Sequence, residues 1–346
     1  MNHIGIDLGR KNSQICILTQ GGELIERGVR TERERFAATL KNHRGARVLL
    51  EAGTESEWVA RCLEDLGHEV IVADPNYAPM YARLQRKVKT NRRDARALAE
   101  ACRLGAYRPA HRTSEEQRRV RARIAVREAL VRTRSRYVVL IGSLLRQEGL
   151  SLPVGGTPTF LARLQTVTLP EPLQQAIAPM LPVIQALQAQ IREADRQLET
   201  LSCTDPRVRR LRSAPGIGPV TAATFVATVD RADRFAGPHQ LEAYLGLVPR
   251  ENSTGEQHNR GPITKAGNTR LRWLLIEAAW TILNHPKQDT APLRAWTLRI
   301  ATRRGRPRAV VALARRLAGI LFAMMRDETL YDPNRLASRT QNASAA

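Results

Sequence analysis

From residue 3 to about 110, short apolar runs of β type alternate with amphipathic stretches. The runs are HIGIDLG at 3–9, SQICILT at 13–19, LIERGV at 24–29, RVLLEAG at 47–53 and HEVIVAD at 68–74, with helical periodicity between and after the later ones. Three strands in hairpin succession followed by strand–helix alternation predict a mixed sheet with helices on its faces, an α/β RNase H-like layout.

Beyond residue 112 the pattern turns helical. Ser114 with Gln117 forms a capping box ahead of a long helix that repeats Ile124, Val131, Val138 and Leu145 at seven-residue intervals. Arginines surround that stripe; Arg118, Arg119 and Arg123 are candidates for holding a nucleic-acid backbone. After a break at LPVGGTP, Ile177, Ile184, Ile191 and Leu198 pair with Met180, Leu187, Ala194 and Leu201 as a and d positions, with Pro179 and Pro182 disrupting the first turns. Antiparallel packing of the two helices, or self-association, would bury this seam. The stretch AVVALARRLAGILFAMM is interrupted by Arg315 and Arg316 and reads as a core helix. The domains expected are 1–112, a helical coiled-coil linker 113–204, a mostly α domain 205–335 and a disordered tail 336–346.

Charge narrows the function. The formal net charge is +22, from 55 Lys and Arg against 33 Asp and Glu, an excess that concentrates polyanions and makes nucleic acid the default partner. No stretch offers about 18 consecutive apolar residues, and the N-terminus lacks a signal-peptide layout, so no membrane partner and a cytoplasmic, nucleoid-associated protein are expected. Cys16, Cys62, Cys102 and Cys203 have no metal-ligand or disulfide spacing and read as buried thiols.

Asp7 interrupts the first strand, where a buried carboxylate is costly unless a cation or hydrogen bonds compensate it. Glu51 closes the strand VLLEA, and Asp94 opens a helix in KTNRRDARALAE. If the two strands are neighbours and that helix packs across their ends, the three carboxylates converge into the oxygen-rich set that Mg²⁺ or Mn²⁺ needs for phosphodiester chemistry. Each also has a plainer role: Asp7 as turn former, Glu51 as helix-capping acid, Asp94 in a surface pair with arginine. IGIDLG also resembles the opening strand and glycine-rich turn of actin-like sugar kinases and Hsp70-type ATPases, but the second glycine-rich phosphate loop of that fold is not evident.

In the second half, LRSAPGIGPVTAATFVATV places Gly216 and Gly218 in a turn between two helices. This is a helix-hairpin-helix-like element whose backbone N–H groups suit a phosphate, although a tight turn between core helices would look similar. Further on, Ser253 sits in a polar loop near Arg250, Arg260, Lys265, Arg270 and Arg272. A loop serine beside glycine is often only a turn residue. With these cations around it, it is also a candidate nucleophile toward phosphate. His258 is close in sequence, but no Ser-His-Asp spacing is evident.

Together GIDLGRKNSQICIL, LLEAGTESEWVARCLEDLGHEVIVADP, KVKTNRRDARALAE, LRSAPGIGPVTAATFVATV, GLVPRENSTGEQHNRGPITKAGNTRLRWLLIEAA and the final basic helix resemble, over nearly the whole chain, the transposases of the insertion sequence 110 family. The resemblance implies an N-terminal RuvC-like domain with an Asp-Glu-Asp-Asp metal site, a helical linker and a C-terminal transposase domain with a serine nucleophile. It implies a recombinase guided by a structured bridge RNA, acting on donor and target DNA as a homodimer or, in the synaptic complex, a tetramer. Carried onto this chain, Asp7, Glu51 and Asp94 match the first, second and last acids, and Ser253 matches the nucleophile. Asn91 stands where the third acid is expected; it keeps an oxygen ligand and loses a charge. Two alternatives remain at this level: a RuvC-type structure-specific nuclease with water as nucleophile, and a noncatalytic nucleic-acid-binding protein.

Overall fold

The computed structural model describes residues 1–81, 90–251 and 260–333, in two compact units, 1–113 and 114–346. In the first unit the alternating runs pair as expected. Strands β1 (His3–Asp7), β2 (Asn12–Leu18) and β3 (Leu24–Arg30) form an antiparallel meander. Helix α1 (Arg33–Leu40) leads to β4 (Arg47–Glu51), parallel to β1, and α2 (Ser56–Asp65) crosses to β5 (Glu69–Ala73), parallel to β4. The sheet order is β3-β2-β1-β4-β5, a central mixed sheet.

Alternation assigns each strand residue to a face. Ile4, Ile6, Ile15, Ile17, Val48 and Leu50 bury one face with Phe36 and Leu40 of α1 and Val59 and Leu63 of α2. The opposite face carries the row Glu26, Cys16, Gly5 and Leu49 in lateral register and is covered by α3 (Asn91–Leu104). Gly5 makes that cover close: a Cβ there would lie 2.2 Å from both the Ala95 carbonyl oxygen and the Ala99 amide nitrogen. At the edge, Arg92 and Arg96 of α3 straddle Glu26 at 3.3 and 3.4 Å. Burial pushes the Cys16 and Cys102 thiols up to about 11 and about 12. Both are structural. Cys203 differs from the expectation, being exposed.

The second unit begins with α4 (Glu115–Gln147), and the capping box is half formed. Ser114 Oγ accepts from the Gln117 amide, but the Ser114 N–H donates to Asp230 (2.9 Å) rather than to the Gln117 side chain, and Ser114 Oγ lies 2.7 Å from the same carboxylate. Short helices α5 (Phe160–Leu164) and α6 (Glu171–Ile177) precede α7 (Met180–Thr204), which restarts after Pro179. α7 runs antiparallel to α4: Arg127 pairs with Asp195 at 2.5 Å, and Ile141 and Leu145 share a cluster with Ile177 and Ile184. The a positions Ile177, Ile184, Ile191 and Leu198 are buried, while Met180, Leu187, Ala194 and Leu201 are only half-buried, so the intrachain hairpin covers one stripe fully.

After α8 (Pro206–Leu211), α9 (Pro219–Val229) is buried from Thr221 to Val229. It packs on α11 (Thr269–Asn284) and shares one core with α10 (Pro238–Tyr244), α12 (Ala291–Arg304) and α13 (Arg306–Arg326). Val120, Ile124 and Leu198 belong to this same core, which joins the helical hairpin and the C-terminal helices in one unit. The α13 stretch is the expected core helix. No helix among the described residues is long and apolar enough to cross a membrane.

The Gly5 approach is testable. Gly5→Ala forces α3 off the sheet at a cost of about 3 kcal/mol, read by hydrogen exchange in the full chain as roughly hundredfold faster exchange of α3 amides. Unchanged protection would show that α3 is not seated on β1.

Candidate functional site

Asp7 is two residues beyond Gly5 on β1, and Glu51 is two beyond Leu49 on β4, so both point to the face that α3 covers. They end adjacent parallel strands, one step past the paired Ile6 and Leu50, and so stand side by side. The direction of α3 brings in the third acid. Cys102 Sγ, in its last turn, donates to the Arg47 carbonyl at the start of β4 (3.4 Å), while Ala95 lies over Gly5. α3 therefore runs antiparallel to β1, with its N-terminus over the strand ends. Thr90 caps it by accepting from the Arg93 amide, and Asp94, 8% exposed, falls in the first turn, where a carboxylate is favoured by the helix dipole. Asn91, the first residue of α3, is exposed and, three residues from Asp94, shares its side of the helix.

Three carboxylates and an amide are hard oxygen donors of the kind Mg²⁺ or Mn²⁺ takes. They share one face and one end of the sheet. Among the described residues no three Asp, Glu, His or Cys side chains are drawn together as a finished metal cluster, so the placement suits a divalent cation while the set remains open. Asp7 and Glu51 both have further interactions within the protein.

In the second unit Gly216 (φ 74°) and Gly218 are exposed, and Gly218 is the N-cap of α9. Pro219 at the first helical position removes one of the N–H donors a phosphate could use. Strands β6 (Pro249–Glu251) and β7 (Arg260–Ile263) pair antiparallel. Ser253 and His258 lie between them, outside the described residues, as does the tail from 334. The base of this ribbon is tightly built: a Cβ on Gly267 would lie 1.9 Å from the Tyr244 carbonyl oxygen, and one on Gly246 2.3 Å from that of Ala266.

The candidate cations divide into two sets. Arg250 and Lys265 are exposed beside the ribbon. Arg119 pairs with Glu115 at 2.5 Å, Arg118 is half-buried, and Arg123 shares a shallow groove with Arg196. Arg270 is drawn inward, 2.7 Å from Glu128 in a close ion contact and stacked on Trp273 at 4.6 Å. Arg272 corrects the sequence expectation. It is 7% exposed and donates to the carbonyls of Leu245 (2.9 Å) and Ala266 (2.7 Å), so its charge clamps the ribbon base and is not offered to a phosphate. Sequence reasoning also missed Arg121 and Arg234, which donate to carbonyls at the C-terminal end of α9; nothing in their spacing separates them from surface arginines.

Residues 4–149 match a family model for transposases, the DEDD type of IS110, and residues 208–293 match the model of the transposase IS116/IS110/IS902 family. A probable family 20 transposase of Pseudomonas aeruginosa is 31% identical over 339 residues, 96% of this chain and 99% of that protein. The chain belongs to the IS110 family of transposases. The transposase for insertion sequence element IS1111A of Coxiella burnetii is 29% identical over 95% of this chain and 90% of its own length. That for IS1328 of Yersinia enterocolitica is 29% identical over 95% and 98%. This transposase is accordingly an enzyme of DNA strand transfer, and its basic charge suits the DNA on which it acts.

The two sets of cations predict different losses. Arg272→Ala strips two buried carbonyls of their donor and lowers stability in urea by about 3 kcal/mol, leaving the salt dependence of DNA binding intact. Arg250→Ala and Lys265→Ala each reduce the slope of log K against log salt by about 1 at unchanged stability. A changed slope with unchanged stability for Arg272→Ala would contradict this division.

Proposed function

We propose that this transposase cuts and rejoins DNA of an insertion sequence through a phosphoserine on Ser253, under the guidance of a structured RNA and with a divalent cation held by Asp7, Glu51, Asp94 and Asn91. The observation that carries the reading is the shared strand-end placement of Asp7 and Glu51 beneath the first turn of α3, which bears Asp94. That layout supports an RNase H-like, RuvC-like unit, in which acids at strand ends serve phosphodiester chemistry.

A cation bound there, Mg²⁺ or Mn²⁺, supplies positive charge that polarises the scissile phosphate. The Ser253 hydroxyl attacks phosphorus; the Oγ–P bond forms as one nucleoside P–O bond breaks, the serine proton leaves to a base, and the departing oxygen takes a proton. A free hydroxyl of another strand then reverses the exchange and expels Ser253. Phosphodiester bonds are conserved throughout, so rejoining needs no external energy source. Arg250, Arg260 and Lys265 lie in sequence around Ser253 and supply charge for the pentacovalent transition state. Gly216 and Gly218 expose a turn suited to backbone contact, and Arg118, Arg119 and Arg123 add positive charge along α4. Aromatic residues are only 4% of the chain, which favours charge-based holding of backbones and leaves sequence choice to base pairing with the RNA. Asn91 contributes an oxygen without charge, so the cation is held less tightly than by a fourth carboxylate.

The test is trapping. The full chain with its copurified RNA, Mg²⁺ and DNA carrying the element ends is denatured in detergent. A covalent protein–DNA adduct is expected, falling at least a thousandfold in Ser253→Ala. Hydrolysed ends with no adduct would identify a water-dependent nuclease and overturn the serine mechanism.

A further inference from the structure

The α12–α13 corner carries a charge arrangement that the proposed chemistry does not use. From 291 to 308 there are six arginines and no acidic residue. Arg299, Arg303 and Arg304 of α12 line a groove of about 430 Å³ together with Trp296 and Ile300. Gly305 (φ 80°) turns the chain directly into α13, and Arg306 and Arg308 extend the exposed charge. Some exposed arginines elsewhere in this unit are matched by acids, as Arg119 is by Glu115, Arg132 by Glu128 and Arg196 by Glu193, and others, such as Arg136 and Arg192, stand singly among the described residues; the corner differs in gathering five within ten residues. Among the described residues, Arg299, Arg303, Arg304, Arg306 and Arg308 make no ion pair.

Like charges gathered this closely oppose folding unless an anion compensates them. The helix dipole accounts for part of the pattern, since Arg303 and Arg304 occupy the last turn of α12. It does not account for Arg299, Arg306 and Arg308, nor for an aromatic ring in the groove. Trp296 is half-buried and its indole carries the Arg316 guanidinium at 4.5 Å, which holds the ring in place. A flat ring and an isoleucine bordered by arginines match a nucleotide whose base is unpaired: the base face meets Trp296 and the phosphates meet the arginines. A duplex offers only its backbone to such a groove, its bases being stacked internally.

We propose that this groove binds unpaired nucleotides of a polynucleotide strand, with Trp296 as the stacking platform and Arg299, Arg303 and Arg304 as the phosphate contacts. The proposal rests on the reading of the enzyme as one that handles nucleic-acid strands, and adds the surface on which one of them lies.

The probes are 12-nucleotide RNA and DNA strands carrying 5-iodouracil, and the matching DNA duplex, photocrosslinked to the full chain and mapped by peptide mass spectrometry. The crosslink is expected in the α12 peptide with single strands and at least tenfold less with duplex. Arg299→Ala/Arg303→Ala/Arg304→Ala lowers single-strand affinity at least tenfold and flattens the slope of log K against log salt by about 2, whereas the triple lysine variant keeps the slope. Trp296→Ala lowers affinity about tenfold with the slope unchanged, and Trp296→Phe, which preserves packing, retains most of it. Preference for the RNA strand assigns the groove to an RNA, preference for the DNA strand to a substrate strand, and equal binding to either; each supports the site. Absence of the α12 crosslink, an unchanged slope in the triple alanine variant, or equal crosslinking by duplex overturns it. Ser253→Ala leaves this crosslink intact, and loss of the α12 crosslink in a chain that still forms the Ser253 adduct rejects the groove alone.

Discussion

The first unit depends on one backbone-to-backbone approach. Helix α3 can lie on β1 only because residue 5 has no side chain; any Cβ there would meet the helix main chain at 2.2 Å. That contact fixes the height of α3, the Cys102 bond to the Arg47 carbonyl ties down its C-terminal end and so its direction, and the fork of Arg92 and Arg96 on Glu26 holds its outer edge. Direction is the consequential part. An antiparallel course puts the capped N-terminus of α3, with Asp94 in its first turn, over the ends of β1 and β4, where Asp7 and Glu51 stand in neighbouring register. Carboxylates from three elements far apart in sequence reach one end of the sheet through packing alone.

Arginine does two unlike jobs in the second unit. Arg121, Arg234 and Arg272 point inward and satisfy main-chain carbonyls at the end of α9 and at the base of the β6–β7 ribbon. Burial disfavours the charged form of Arg121 and of Arg272, and the carbonyl bonds compensate for it. Arg299, Arg303, Arg304, Arg306 and Arg308 of the α12–α13 corner make no such bond among the described residues and are offered to solvent, whereas Arg294 donates to the Leu283 carbonyl. A single formal charge for the chain therefore overstates the field available to nucleic acid, because part of it is consumed in folding.

Much of this was legible in the residues. Short apolar runs marked the strands; Glu51 was conspicuous because it closed one run and Asp7 because it interrupted another, and the structure ends β1 at Asp7. The start of a helix at Asp94 was visible, while its Thr90 cap came from the fold. What the sequence left open were pairings made across long separations. Asp230, held at positive φ and bonded to the Ser114 amide, replaces the reciprocal half of a capping box that local pattern alone would complete with Gln117. Arg272 looks like its neighbours Arg250 and Lys265 until the fold shows two carbonyls closing on it. The heptads of α4 and α7 specified a seam, but how deeply each stripe is covered depends on the partner helix, and the d positions are only half-buried.

The central claim is that Asp7, Glu51 and the first turn of α3 surround one cation. Metal-directed cleavage tests it without reference to turnover. The full chain is loaded with Fe²⁺ and treated with ascorbate and peroxide, and the fragments are mapped by mass spectrometry. Cuts should cluster at three places, beside residues 7, 51 and 91–94, and fade together as Mg²⁺ is added. Cuts at only one of the three, or at none of them while other regions are cleaved, would contradict the account.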